Sequence, residues 1–208
     1  MPVTAKICGL NTANTLDAAI AGGASHVGFV FFPPSPRHLE FEFAQALAGR
    51  VPGRVGRVGV FVDPDDATIE AALTAIDIVQ LHKTAPERVA AIRARARREV
   101  WAAVPVKRRE DLAAAARLRG AADRILYDAK TPEGAALPGG MGLRFDWDLL
   151  NGFAHPLPWA LSGGLDPANV REAISATGAL LVDVSSGVET APGVKDMDKI
   201  TAFLKAIG

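Results

Sequence analysis

The sequence predicts a closed (β/α)8 barrel, a single parallel eight-stranded sheet, and three observations carry that expectation. Eight short β-rich apolar runs recur along the 208 residues. They are spaced by roughly 20–30 residues, the size of one βα unit. Segments of helical character separate them, and strict alternation of strand and helix implies a parallel sheet. Eight units in this length favour closure; the alternative, a doubly wound open sheet, normally uses fewer strands.

The expected strands are Ala5–Leu10, His26–Phe32, Arg57–Val62, Ile78–His82, Val100–Val106, Arg124–Asp128, Trp159–Ser162 and Leu180–Ser185. Helices are expected over Thr12–Ala21, Asp66–Ile76, Pro86–Arg97, Glu110–Leu118, Asp166–Ala176 and Asp196–Ile207, which are Ala-rich or carry apolar residues three and four apart. Asp166-Pro167 reads as a helix start, an N-cap acid followed by proline at the first helical position. Two units are irregular. Phe145–Leu150 is too short for a full helix, and Phe32-Pro33-Pro34-Ser35-Pro36-Arg37 carries too much proline to be helical. Phe41, Phe43 and Phe153 read as apolar loop residues that pack under a helix or on a partner.

Composition narrows the function classes. Lys plus Arg and Asp plus Glu both number 23, so no global field points to nucleic acid or an anionic membrane surface. The one cysteine excludes an intrachain disulfide and suits a reducing compartment. No apolar stretch reaches the length of about 18 residues that a membrane span needs, and no leader-like start is visible. The expectation is a cytoplasmic, soluble domain over residues 1–208, monomeric or homodimeric.

Reactive groups of such barrels collect at the C-terminal ends of the strands. Side chains alternate along a strand, so Lys6 shares a face with Cys8, Gln80 with His82, Leu126 with Asp128, and Asp183 with Ser185. Each pair ends in a polar group at the rim. Cys8 is a candidate general base if its pKa falls toward neutrality, and otherwise a small buried hydrophobe. Asp128 follows the apolar Ile125-Leu126-Tyr127, so desolvation should raise its pKa enough for acid work; capping the next turn is the other role open to it. Arg37 ends a rigid Ser-Pro-Arg loop whose prolines would position it to hold a carboxylate bidentately; an ordinary surface arginine is the other reading. His82 either meets a ligand or satisfies a rim hydrogen bond. Ser162-Gly163-Gly164 and Ser185-Ser186-Gly187 follow strands seven and eight, where barrels commonly bind phosphate. The four histidines show no metal-ligand spacing, and no metal site is expected.

Together these segments resemble the phosphoribosylanthranilate isomerase family of tryptophan biosynthesis over essentially the whole chain. They are KICGL at 6–10, GFVFFPPSPRHL at 28–39, VGVFVD at 58–63 and VQLH at 79–82, then YDAKTPEG at 127–134 and GGMGLRFDWDLL at 139–150. The match closes with LSGGLDPANV at 161–170 and DVSSGVETAPGVKD at 183–196. The resemblance implies an Amadori rearrangement of a phosphoribosyl substrate without metal or organic cofactor. It implies Cys8 as general base, Asp128 as general acid, and Arg37 against the anthranilate carboxylate. It further implies phosphate at Gly163, Gly164, Ser185, Ser186 and Gly187, with Asp183 on the active-site rim. Lys83 departs from the family's usual glycine, and Gly142-Leu143-Arg144 from a more polar pattern. Two other readings stay open: a sugar-phosphate isomerase of histidine biosynthesis, which uses aspartate at the first-strand position, and a phosphate-binding barrel without turnover. Lys130 to Gly142 reads as a lid, or else as a static surface loop.

Overall fold

The architecture, given by a computed structural model that describes residues 2–132 and 140–208, follows from how the β-branched runs pair. Eight strands close in sequence order, each parallel to its neighbours: β1 (Thr4–Cys8), β2 (His26–Phe31), β3 (Gly56–Val62), β4 (Ile78–His82), β5 (Glu99–Val106), β6 (Arg124–Ala129), β7 (Trp159–Leu161) and β8 (Leu181–Val184). Closure is made by β1 against β8, with Lys6 opposite Asp183. The open-sheet alternative is thereby excluded.

Parallel strands covered by helices are buried on both faces, and the two faces hold different contents. Outward residues such as Ile7, Val27, Phe61, Val79 and Ile125 join the helices in one apolar layer. Inward residues Val58, Ile78, Trp101, Leu126, Ala160 and Leu181 fill the barrel. They form a packed plug: His26, Glu99 and Arg124 gather around Trp101 at its N-terminal end, and the other polar inward residues lie toward the C-terminal rim.

The helices are α1 (Ala13–Ala21), α2 (Phe41–Ala48), α3 (Asp66–Ala72), α4 (Pro86–Ala96), α5 (Val170–Thr177) and α6 (Met197–Ile207). Thr12, Asp65 and Asp196 cap α1, α3 and α6 by accepting from first-turn amides, and Pro86 opens α4. Several expectations need correction. Phe41 and Phe43 lie in α2, which the proline-rich approach concealed; Phe41 stacks on Phe31 at 5.2 Å, whereas Phe43 is exposed. The fifth connection, Arg109–Leu118, winds as a 3-10 helix. Helix α5 begins at Val170, because the Asp166 carboxylate caps a preceding turn by accepting from the Ala168 and Asn169 amides at 2.7 and 2.9 Å. Phe153 is partly buried and packs edge-on against Tyr127. After β8 the chain forms a hairpin, β9 (Glu189–Ala191) and β10 (Val194–Lys195), before entering α6.

Lys83 adopts φ +52°, in the left-handed region. A side chain is strained there by about 1–2 kcal/mol relative to glycine, which explains why glycine suits this position. Of the expected lid, residues 133–139 lie outside the described residues.

Candidate active site

Strand parity brings Cys8, Gln80, His82, Asp128, Ser162, Asp183 and Ser185 around one open cavity at the C-terminal mouth, which Arg37 and Gly140 also line. Cys8 and Asp128 come from β1 and β6, which β7 and β8 separate on one side of the barrel. A second cavity adjoins it and is lined by both small-residue turns, Gly163-Gly164 and Ser185-Ser186, together with Asp128 and Asp183. Gly187 lines a third, outer cleft beside Ser186. All the expected site residues therefore gather at one end of the barrel.

The deepest polar group is Lys6, which is fully buried and donates to Asp183 Oδ1 at 2.8 Å. Ser162 Oγ donates to the other Asp183 oxygen at 3.1 Å. Burial opposes the Lys6 charge, but Asp183 and then Cys8 outweigh it, and its pKa rises to about 12. A buried ion pair is weak evidence of stabilisation, since well-packed apolar residues would serve as well. Its position beside Cys8 gives it an electrostatic use instead.

Burial pushes the Cys8 thiol up, against the pull of the Lys6 ammonium, and Asp183 adds to the rise. The protein alone therefore does not supply the fall toward neutrality on which the base role was conditional; a bound cationic group beside the thiol would favour it. Asp128 behaves as its apolar strand implied. Desolvation, and then repulsion from Asp183, lift its pKa to about 7, although the Ala129 amide donates to its Oδ1 at 2.9 Å. Near neutrality this carboxyl is poised between acid and base. His82 is pushed down to about 4 by burial and by Lys6, so its ring is neutral. The Gln80 amide nitrogen lies 2.9 Å from His82 Nε2, and Gln80 Oε1 is buried without a partner among the described residues.

Two glycines make room for these groups. Gly28 faces Cys8 across the β1–β2 ladder, and a Cβ there would lie 2.9 Å from Cys8 Sγ and 3.1 Å from Lys6 Cε. Gly163 holds φ +88°, and a Cβ would stand 2.5 Å from the Ala129 nitrogen and 3.0 Å from Asp128 Oδ1. The phosphate-like turn thus packs directly on the candidate acid.

Arg37 is buried, not a surface residue. Its fork grips Glu189, Nε to Oε1 at 2.7 Å and Nη2 to Oε2 at 2.8 Å, and Nη2 also donates to the Gly140 carbonyl at 2.9 Å. A carboxylate ligand would therefore meet Nη1 end-on, since the bidentate edge is taken. Lys195 completes this cluster, donating to Glu189 Oε1 at 2.6 Å and to the Ser185 carbonyl at 2.9 Å. The sequence reading placed Lys6 and Gln80 on the right face but gave them no role, and it missed Glu189 and Lys195. The only local signal for these two was a charged pair flanking a Pro-Gly turn.

Among the described residues, no group of three or more His, Cys, Asp or Glu side chains is arranged to hold a metal ion. No helix there is long and apolar enough to cross a membrane.

The family model for N-(5'phosphoribosyl)anthranilate (PRA) isomerase matches residues 5–206. The chain is 53% identical to the N-(5'-phosphoribosyl)anthranilate isomerase of Zymomonas mobilis subsp. pomaceae, covering 100% of this chain and 99% of that protein. Among solved structures, a phosphoribosyl anthranilate isomerase in complex with reduced 1-(o-carboxyphenylamino)-1-deoxyribulose 5-phosphate superposes with a TM-score of 0.84. It is 35% identical, over 99% of this chain and 98% of that one. A structure of monomers of the dimeric phosphoribosylanthranilate isomerase of Thermotoga maritima also gives 0.84, at 36% identity over 99% and 98%.

Proposed function

This chain belongs to the N-(5'-phosphoribosyl)anthranilate isomerase family, and from that premise we propose how its own side chains perform the isomerisation. The enzyme converts N-(5'-phosphoribosyl)anthranilate to 1-(2-carboxyphenylamino)-1-deoxyribulose 5-phosphate in tryptophan biosynthesis.

The observation that carries the assignment of roles is a carboxyl lifted to about 7 and a thiol lining the same cavity, from strands separated by two others. Protonated Asp128 donates to the furanose ring oxygen. The C1–O bond breaks as the anilino nitrogen lone pair forms the C1=N bond, leaving an iminium cation. That cation and the Lys6 ammonium both favour the Cys8 thiolate. Cys8 removes the C2 proton; the freed pair forms C1=C2 and the iminium electrons return to nitrogen. The resulting enolamine tautomerises to the ketone. Phosphate binds the turns at Gly163-Gly164 and Ser185-Ser186-Gly187 through backbone N–H groups. Arg37 Nη1 meets the anthranilate carboxylate, while His82 and Asp183 line the ribose. Held at both ends, the reacting carbons lie between β1 and β6, and positioning supplies much of the acceleration.

The same reading takes residues 1–208 as one catalytic domain in the cytoplasm, with a small phosphoribosyl substrate as its partner, without nucleic acid or membrane, as a monomer or homodimer. The Thermotoga relative described as dimeric supports the second form. The test is turnover of freshly generated phosphoribosylanthranilate beside the aminoaldose of histidine biosynthesis. Conversion of the first alone is expected. Conversion of only the second would overturn the substrate assignment, and ligand binding without either product would favour a silent binder.

A further inference from the structure

We propose that Glu189 and Lys195 act as a ruler, a buried ion relay that fixes the separation between Arg37 and the turn after β8. That separation sets which doubly anionic substrates fit. The inference rests on the reading of the site just given and adds two positioning residues to it.

The relay is continuous. Arg37 grips Glu189 with Nε and Nη2 at 2.7 and 2.8 Å. Glu189 accepts from Lys195 Nζ at 2.6 Å, and Lys195 reaches Ser185 at its carbonyl, 2.9 Å, and its hydroxyl, 3.3 Å. Ser185 leads directly into the Ser186-Gly187 turn. The side chains of Arg37, Glu189 and Lys195 are no more than 5% exposed. The β9–β10 hairpin that carries Glu189 and Lys195 also presses on the arginine loop, because a Cβ on Gly193 would come within 2.3 Å of the Pro36 carbonyl oxygen.

Accounting for donors and acceptors shows what is left over for a ligand. Glu189 accepts from Arg37 twice, from Lys195, and from the Gly193 amide at 3.3 Å, which fills the roughly four lone-pair sites of a carboxylate. The Lys195 ammonium has three hydrogens and three acceptors. Glu189 and Lys195 therefore have no free capacity to hold substrate themselves. Arg37 uses Nε and both Nη2 hydrogens on protein, and among the described residues Nη1 donates to nothing, while Arg37 itself lines the cavity. Among the described residues the cluster carries two cations against one carboxylate, an excess of positive charge that an anionic ligand group would neutralise. A buried triad of this kind gains little for stability over apolar packing. What it does provide is a fixed distance between the anchor of one anionic end and the cradle of the other.

The experiment compares two substrates, phosphoribosylanthranilate and phosphoribosylaniline, which differ only in the carboxylate. Kinetics would be measured for wild type, Glu189→Gln, Lys195→Met and the double variant, each checked by thermal unfolding. Misplacing Arg37 should raise KM for the carboxylate-bearing substrate by about ten- to a hundredfold, with kcat changed much less. The aniline substrate should lose little, so wild-type discrimination between the two collapses. Because the residues act as one relay, the double variant should be no worse than the worse single one. Glu189→Asp, which keeps the charge but draws the guanidinium back by one methylene, should collapse discrimination in the same way and serves if Glu189→Gln does not fold. Equal losses on both substrates, or additive losses in the double variant, would overturn the ruler alone. Failure of the wild type to convert phosphoribosylanthranilate would overturn the functional reading, and the ruler with it.

Discussion

Adding one methyl group to Gly28 puts the packing around Cys8 under direct load. The new Cβ would meet Cys8 Sγ at 2.9 Å, Cys8 Cα at 3.1 Å and Lys6 Cε at 3.1 Å. Comfortable carbon contacts lie near 3.5–4.0 Å, so relief of roughly 0.4–1.1 Å is needed. The Cys8 backbone cannot give way easily, because the β1–β2 register pins it, and the Gly9 and Leu10 amides both donate to the Gly28 carbonyl. The thiol and the lysine must therefore move, and Lys6 can move only by disturbing its 2.8 Å contact with Asp183. Overpacking of this kind costs about 1–3 kcal/mol of stability. Displacing a reacting group by a similar distance lowers turnover by about ten- to a hundredfold. Gly59→Ala is the matched control: its Cβ would meet Ile76 at 2.7 Å and Phe61 at 2.8 Å, on the outer face of the barrel wall. Loss of anthranilate fluorescence gives kcat, and denaturant unfolding gives stability. Both variants should lose comparable stability while only Gly28→Ala loses kcat. Wild-type kcat in Gly28→Ala, or equal kcat losses in the two, would refute the argument.

Other consequences follow from the ionisable groups. The active form needs protonated Asp128 with thiolate Cys8, a minority arrangement whose population stays constant between the two titrations. A kcat/KM profile should accordingly rise through about pH 7, where Asp128 titrates, and fall only above the ordinary thiol range; a profile flat through neutrality would contradict it. Asp128→Asn should be inactive yet more stable in alkaline solution. The folded-state pKa of Asp128 stands near 7 against an ordinary 3.8. Its favourable contribution is therefore present below 3.8 and lost as pH rises through 7, and removing the buried charge should yield on the order of a few kcal/mol. Unfolding midpoints of variant and wild type should converge below the ordinary carboxylate pKa. Equal stability at alkaline pH would show that Asp128 is not appreciably desolvated.

Much of this site was readable because a parallel barrel turns strand parity into geometry. Cys8, His82, Asp128 and Asp183 end strands in sequence and end up around one cavity in space, and the two small-residue turns after β7 and β8 fall beside it. What was not readable depends on contacts distant in sequence. The Arg37–Glu189 pair spans 152 residues, and the Lys6–Asp183 pair spans 177. Neither partner's spacing announces the other. Helix α2 was concealed for a local reason: the prolines before it end at Pro36, and Glu40 opens the helix without a side-chain cap. The thiol's upward shift was also hidden, since a sequence shows that Lys6 is near Cys8 but not that both are enclosed.

The most direct test is single-substrate turnover of phosphoribosylanthranilate by wild type beside Cys8→Ala, with folding of both verified. Removal of the C2 proton by Cys8 requires rapid wild-type conversion and near-complete loss in the variant. Near-normal conversion by Cys8→Ala would contradict that role, even with the isomerase activity intact.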